Sequence, residues 1–521
     1  MRTSLTSRLR AAARPRTAAL TAAAVASMTL AACGGGSGSS DDPGTLRFGL
    51  SAEPVTLTTG VWQGSATNFV LTLIHRGLMT LDEDGELVPG LAASVETPDP
   101  TTYVFTLHEG LTFSDGSPLT ATNVKNSLEY YADPANGSTL IAGLQDIASI
   151  TADSDTQVTV TLEAPNNAFL EFLAVPTAAI VPDASLNADT PNIVGAGPFE
   201  IEEQNEGVGM TLAKFDGFYD AADVALDEID VAYYPDGDAR ANALVSGDVD
   251  MIDYVTWENF DRVGSTDGVE LAAQPGPFQY VQFNATDGPF ADPLVREAVA
   301  YAINRDNALT AAFQSHGEPL EGVVTSDDPA LEGLGDELWS YDPDRAKELL
   351  AEAGYPDGFS ATLLATSQYT FLQDTALSVQ QDLQAVGIDV TLDAPDWSGR
   401  LEKGAAGDYD LAVSGDVGIV TNPIYLLSFV QGPDNFNRSF GYANEEIAAA
   451  LTDGLRATDD ETRAAAYEEA FDLVATDVPF ASIDTRDQAW AYSDDVEGFT
   501  NLPGFHTFFS GYTLANTSIE R

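Results

Sequence analysis

Cysteine is nearly missing: the chain has 521 residues and one cysteine, Cys33. A disulfide framework is thereby excluded, so stability has to come from an apolar core. Histidine is scarce too, and His75, His108, His316 and His506 lie far apart along the chain. None belongs to a His-Glu-x-x-His helix, and no metal site is expected. Walker loops, nucleophile elbows and dinucleotide-binding glycine fingerprints are absent from any strand–turn–helix setting, and Gly195-Ala196-Gly197 is too short a match. Asp82-Glu83-Asp84-Gly85-Glu86 lacks the later ligands of a calcium loop and reads as a turn between two strands. With 81 carboxylates some pair always looks catalytic, so paired acids carry no weight. Neither an enzyme nor a cofactor is expected.

Basic residues are short as well. Lys and Arg number 22 against 81 Asp and Glu, a net charge of −59. That field repels nucleic acid and anionic lipid surfaces, which excludes both as partners. It favours solubility, and it is hospitable to cationic or zwitterionic solutes.

What basic charge there is gathers at the start. Arg2, Arg8, Arg10, Arg14 and Arg16 precede an apolar run from Ala18 to Ala32. The run is shorter than the ~20 residues a membrane span needs, but it suits the core of a secretory signal. It ends in Leu30-Ala31-Ala32-Cys33-Gly34. That ending resembles the lipobox of bacterial lipoproteins, which implies a signal peptide over 1–32 and a lipidated Cys33. Residues 33–44 then form a flexible, glycine- and serine-rich tether. Several acyl chains on one cysteine make a stable anchor, the only membrane contact expected.

The body mixes strands and helices. Tyr103, Phe105 and Leu107 alternate with Val104, Thr106 and His108, Val158, Val160 and Leu162 do the same further on, and both stretches predict half-buried strands. Asp292-Pro293 and Asp342-Pro343 each open a helix with an apolar face, Leu294, Val295, Ala298, Val299 and Ala302 in the first and Ala346, Leu349, Leu350 and Ala353 in the second. Leu372, Ala376, Val379, Leu383 and Val386 line a third helix, closed by Gly387 and followed by the strand 388–392. Thr458 with Glu461 predicts a capping box ahead of Ala464, Tyr467, Phe471 and Val474.

Taken together, these segments carry a resemblance. They include LRFGLSAEPVTLTTG (46–60), GLMTLDEDGELVPGLAASVE (77–96), YVFTLHEGLTFSDGSPLTATNVKNSLEY (103–130) and VGAGPF (194–199). LVSGDVDM (244–251), YVQFNATDGPFADPLVREAVAYAINRD (280–306), YDPDRAKELLAEAGYPDGF (341–359) and DLQAVGIDVTL (382–392) follow in order. The chain resembles the extracellular solute-binding proteins of family 5, the oligopeptide-, dipeptide- and nickel-binding components of ABC importers.

The resemblance implies an α/β fold of two lobes joined by a hinge. One lobe would take 45–285 plus 488–521, with a subdomain at about 76–189, and the other 286–487. The hinge crossings fall near Asn284 and Arg486. It further implies a monomer that closes on a peptide or peptide-like solute and presents it to permease subunits. A sugar, an opine or a metal chelate is the alternative solute, and a ligand-presenting signal receptor the alternative role. By the same resemblance Glu53, Tyr369, Trp397, Asp416 and Arg438 fall in loops at the cleft. Peptide binders of the family commonly place an Asp for the ligand amine ahead of an Asp-Pro. Here Asn422-Pro423 takes the Asp-Pro position, Ile419 falls where that carboxylate belongs, and Asp416 falls where a Trp belongs. Asp416 is therefore the candidate amine partner, and Arg438 a candidate fork for a ligand carboxylate.

Overall fold

The computed structural model of the protein describes residues 44–521, except 55, 63, 187–190, 325–328, 417 and 433–434, and of Asp416 it describes the backbone. The readings made on residues 1–43, Cys33 among them, lie outside the described residues.

Two long antiparallel strands, Val269–Phe283 and Ala481–Ser493, run through the middle of an eleven-stranded sheet. Pairing slips between Pro275 and Phe278, just after a residue that has no amide hydrogen to give the ladder. On one side of this pair stand Leu411–Asp416, Phe359–Leu364 and Ile388–Asp393. On the other stand Met251–Ile252, Thr45–Leu50, Glu228–Tyr233, Gly209–Lys214 and Phe199–Asn205. Gly317–Pro319 adds to Ala481–Ser493. Burial follows position. Within Val269–Phe283 the early residues alternate between half-buried and exposed, whereas Phe278 to Phe283 are all buried between two strand neighbours and covering helices.

The predicted helix–turn–strand unit is present. Helix Thr370–Ala385 buries Leu372, Ala376, Val379 and Leu383, Gly387 turns at φ 102°, and Ile388–Asp393 pairs parallel with Phe359–Leu364. That makes a β-α-β crossover, and it confirms the α/β class. A separate antiparallel sheet orders Ala92–Asp99, Thr102–Leu107, Gln157–Leu162 and Ile147–Ala152. Tyr103, Phe105, Leu107, Val158, Val160 and Leu162 all point into its core, as their alternation predicts.

Helix starts agree with one exception. Asp292 accepts from the Leu294 amide and Asp342 from those of Asp344 and Arg345. Ahead of helix Asp460–Asp477 the cap is Asp459 rather than Thr458, because its carboxylate takes both the Thr462 amide and hydroxyl at 2.9 Å. Asp82 closes the turn between Met79–Leu81 and Leu87–Pro89 by accepting from the amides of Asp84 and Glu86.

The glycines of VGAGPF have a local reason. A Cβ on Gly195 would lie 1.9 Å from the Ile74 carbonyl oxygen, and one on Gly197 would lie 2.4 Å from that of Leu73. The segment crosses directly over the end of helix Ser65–Ile74, a passage closed to any side chain.

Candidate functional site

Polar residues inside apolar strands point to the site. Gln279 and Gln282 on Val269–Phe283 and Ser414 on Leu411–Asp416 are buried, and a buried polar group needs partners. Gln282 donates to the Tyr409 hydroxyl at 2.9 Å and accepts from the Ser414 hydroxyl at 2.7 Å. Ser414 Oγ in turn receives Arg400 Nη2 at 2.6 Å, and the same nitrogen donates to the Val413 carbonyl at 3.1 Å. Gln279 Oε1 accepts from Thr375 at 2.8 Å.

This network floors a cavity of about 260 Å³. Helix Trp397–Ala406 brings Trp397 and, one turn on, Arg400, with Asp396 capping by accepting from the Gly399 amide. The start of helix Thr370–Ala385 brings Phe371 and, from the cap position before it, Tyr369. Tyr369 meets Trp397 edge-on at 5.1 Å, and Trp397 meets Phe436 at 6.0 Å. Arg486, from Ala481–Ser493, lies over Trp257 and Phe371, each at 5.2 Å, and donates to the Tyr254 hydroxyl at 3.0 Å. Tyr254 is held at φ 44°, a left-handed backbone seldom taken by an aromatic residue. Aromatic walls with a few placed polar groups are the ordinary composition of a small-molecule site.

The electrostatics are unusual for so acidic a chain. Among the described residues no Asp or Glu lines this cavity. Burial lowers the Arg400 pKa, partly offset by Tyr280 and Tyr409. Burial also pushes the Asp484 carboxyl up to about 8, against the pull of Arg486 and Arg305.

A larger cavity of about 390 Å³ is lined mostly by apolar groups, including Phe172, Ile419, Ile424 and Leu427, with no charged side chain among the described residues. Ile419, in the alignment position of an amine-binding carboxylate, faces this apolar space. Its polar side chains, Thr139, Gln145, Tyr425, Ser428 and Gln431, are uncharged.

The five ligand candidates separate. Tyr369 and Trp397 stand together in the polar cavity. Gly415 lines it too, and the next residue, Asp416, ends its strand opposite Phe278. Glu53 is elsewhere, accepting from the Gly207 amide at 3.1 Å. Arg438 is buried and directs its guanidinium to the carbonyls of Gln431, Gly432 and Tyr442, so it clamps its own loop. Arg400, Gln279, Ser414 and Arg486 line the cavity and were not among the ligand candidates. The helical spacing of Arg400 from Trp397 was a usable signal, and so were the two glutamines within QYVQF.

His108 is half-buried and stacks on Tyr219 at 4.5 Å. Among the described residues no group of His, Cys, Asp and Glu could hold a metal ion, and no helix is long and apolar enough to cross a membrane.

Known proteins share this family and this fold. The model of bacterial extracellular solute-binding proteins, family 5 Middle, matches residues 86–438. The glutathione-binding protein GsiB of Escherichia coli K12 is 31% identical over 446 residues, covering 82% of this chain and 86% of the relative. Among solved structures, the periplasmic binding protein AgaA of A. tumefaciens R10, in complex with agropinic acid, superposes with a TM-score of 0.82. It is 39% identical and covers 92% of this chain and 99% of AgaA. DppA of Helicobacter pylori, in complex with the peptide STSA, has a TM-score of 0.76 at 22% identity over 92% of this chain and 98% of DppA. The fold is that of the periplasmic binding proteins. The chain belongs to family 5 of the bacterial extracellular solute-binding proteins.

Proposed function

We propose that the protein captures a small peptide or peptide-like solute outside the cytoplasm and delivers it to an ABC permease, without chemical change to the solute. The observation that carries this reading is the aromatic-walled cavity around Tyr369 and Trp397 with its buried polar floor. GsiB binds glutathione, DppA was solved with a peptide and AgaA with agropinic acid, so amino-acid-derived compounds recur among the relatives. An opine-type solute is a second reading, supported by the 39% identity to AgaA. Asp416 is the proposed partner of a ligand amine.

The working unit in this proposal is a monomer of two lobes, 45–285 with 488–521 and 286–487, the first carrying the subdomain at about 76–189. Ala481–Ser493 crosses the proposed boundary at 487/488, and the other crossing, near Asn284, directly follows the end of Val269–Phe283; the register slip opposite Arg486 supports a hinge between these paired strands. An acylated Cys33 would tether the body to the outer face of the membrane after loss of residues 1–32.

Native mass spectrometry of protein extracted from membranes tests the proposal in one experiment. The chain is expected to begin at an acylated Cys33 and to release a small solute of unaltered structure that re-binds. An unprocessed chain would sink the anchor. A solute returned chemically altered, or none that binds, would sink the capture reading.

A further inference from the structure

Arg400 is buried to 1% exposure, yet it makes only two hydrogen bonds. Nη2 serves Val413 and Ser414, while Nε and Nη1 have no partner. Other buried arginines in the same chain behave differently. Arg240 donates to the carbonyls of Asp253, Tyr234 and Tyr254 and lies 4.0 Å from the Asp253 carboxylate. Arg296 donates to carbonyls at Phe290, Ala291, Asp477 and Val478, and pairs with the Asp477 carboxylate at 3.3 Å. Arg305 takes four backbone carbonyls. These three are structural clamps, and their donors are occupied.

Arg400 has no acidic partner among the described residues, in a chain whose 81 carboxylates could readily have supplied one. A guanidinium held out of water with open donors carries a standing electrostatic demand. Gln279 repeats the pattern beside it: its side chain is fully buried, its oxygen is engaged by Thr375, and its Nε2 has no partner. Both residues line the same cavity, and Arg486 adds a second positive charge. The space for the guanidinium is prepared, since a Cβ on Gly404 would lie 2.9 Å from Arg400 Nη1.

We propose that the solute is a carboxylic acid whose carboxylate docks on Nε and Nη1 of Arg400, with the Gln279 amide as an additional donor. This rests on the capture reading and narrows it. Neutral sugars and carboxyl-blocked peptides are excluded, and small carboxylic acids are selected. The planar fork of a guanidinium matches the two oxygens of a carboxylate, which a lysine ammonium would not reproduce.

The test is calorimetric, on the full-length folded protein, with a fixed panel: glutathione, agropinic acid, alanylalanine, the methyl ester of each, and mannitol. At least one free acid is expected to bind, and its ester to bind about thirty-fold or more weakly, since a charge-assisted hydrogen bond is lost. Arg400→Gln should weaken the acid to a similar extent while leaving the ester unchanged. Arg400→Lys should recover only part of the loss. Because Arg400 also holds Ser414, each variant is first compared with the parent by thermal melting. If Arg400→Gln does not fold, the acid–ester comparison on the parent protein decides alone. Equal affinity for acid and ester, equal loss of both on Arg400→Gln, or mannitol binding tighter than every acid would overturn the assignment. The last result would leave solute capture standing. No binding to any member overturns the carboxylate assignment for this panel, and a failure of the native preparation to yield any solute would then defeat capture as well.

Discussion

At pH 7 the His75 ring is uncharged, although an exposed histidine would be near its titration. The side chain is buried, its Nε2 lies 2.9 Å from the Asn192 carbonyl, and desolvation lowers its pKa from 6.5 to about 4. The unfolded chain therefore takes up this proton before the folded one does. Stability from the shift is complete above pH 6.5 and drains away as pH falls towards 4. By linkage the loss from this one residue reaches about 2 kcal/mol by pH 5. His506, also lowered to about 4 by burial, adds in the same direction. In His75→Gln the side-chain amide still donates to Asn192 but does not titrate. Urea unfolding at pH 7 and pH 5 should show a clearly smaller loss of stability in the variant than in the parent. Equal losses would mean that His75 is protonated in the folded protein.

At the scale of elements, much of the fold was legible because local chemistry and tertiary packing agree. The apolar stripe of helix Thr370–Ala385 is buried as its spacing requires, and the alternation in Thr102–Leu107 matches its burial residue for residue. The Thr458 cap failed for a small reason: Asp459 stands beside it and is the better acceptor. The site was less legible. Of the candidates, Tyr369 and Trp397 line the polar cavity while Arg438 turns to loop carbonyls, and Arg400, which also lines the cavity, was not among them. Sequence shows that an arginine is present and not whether neighbouring carbonyls have already used its donors. VGAGPF shows the opposite case, in which a short motif has a strict local meaning. Gly195→Ala would drive a methyl group into the Ile74 carbonyl, and overpacking of this kind costs about 1–3 kcal/mol. Gly264, where a Cβ meets only the Leu271 side chain at 3.3 Å, is the control, and its alanine variant should change the denaturation midpoint much less. A Gly195→Ala protein as stable as the parent would show that the crossing segment can move away at no cost.

Closure of the whole molecule has to be stabilised by contacts that an open form lacks. On the proposed division, residues 167–171 and 421–455 belong to opposite lobes, and a small set of polar contacts joins them. Glu171 accepts from the Thr421 amide and, at 2.9 Å, from its hydroxyl. Asn422 donates to Asn167 Oδ1 at 3.0 Å, and Asn167 donates through its side chain to the Gly454 carbonyl at 2.8 Å and through its amide to that of Leu455 at 3.0 Å. Neither Asn167 nor Glu171 lines the polar cavity. If these contacts help to hold the lobes together, they set the fraction of molecules able to enclose a solute, and apparent affinity scales with that fraction. Asn167→Ala combined with Glu171→Ala removes several hydrogen bonds while leaving every cavity residue in place. At a net worth of about 1 kcal/mol each, losing two or more should weaken binding by about ten-fold or more. The variant should also show a larger radius of gyration without ligand in small-angle scattering, and saturating solute should bring it back towards the parent value. Unchanged affinity together with an unchanged scattering profile would mean that the 167–171 contact plays no part in closure, and the hinge would have to be held by the cavity and its ligand alone.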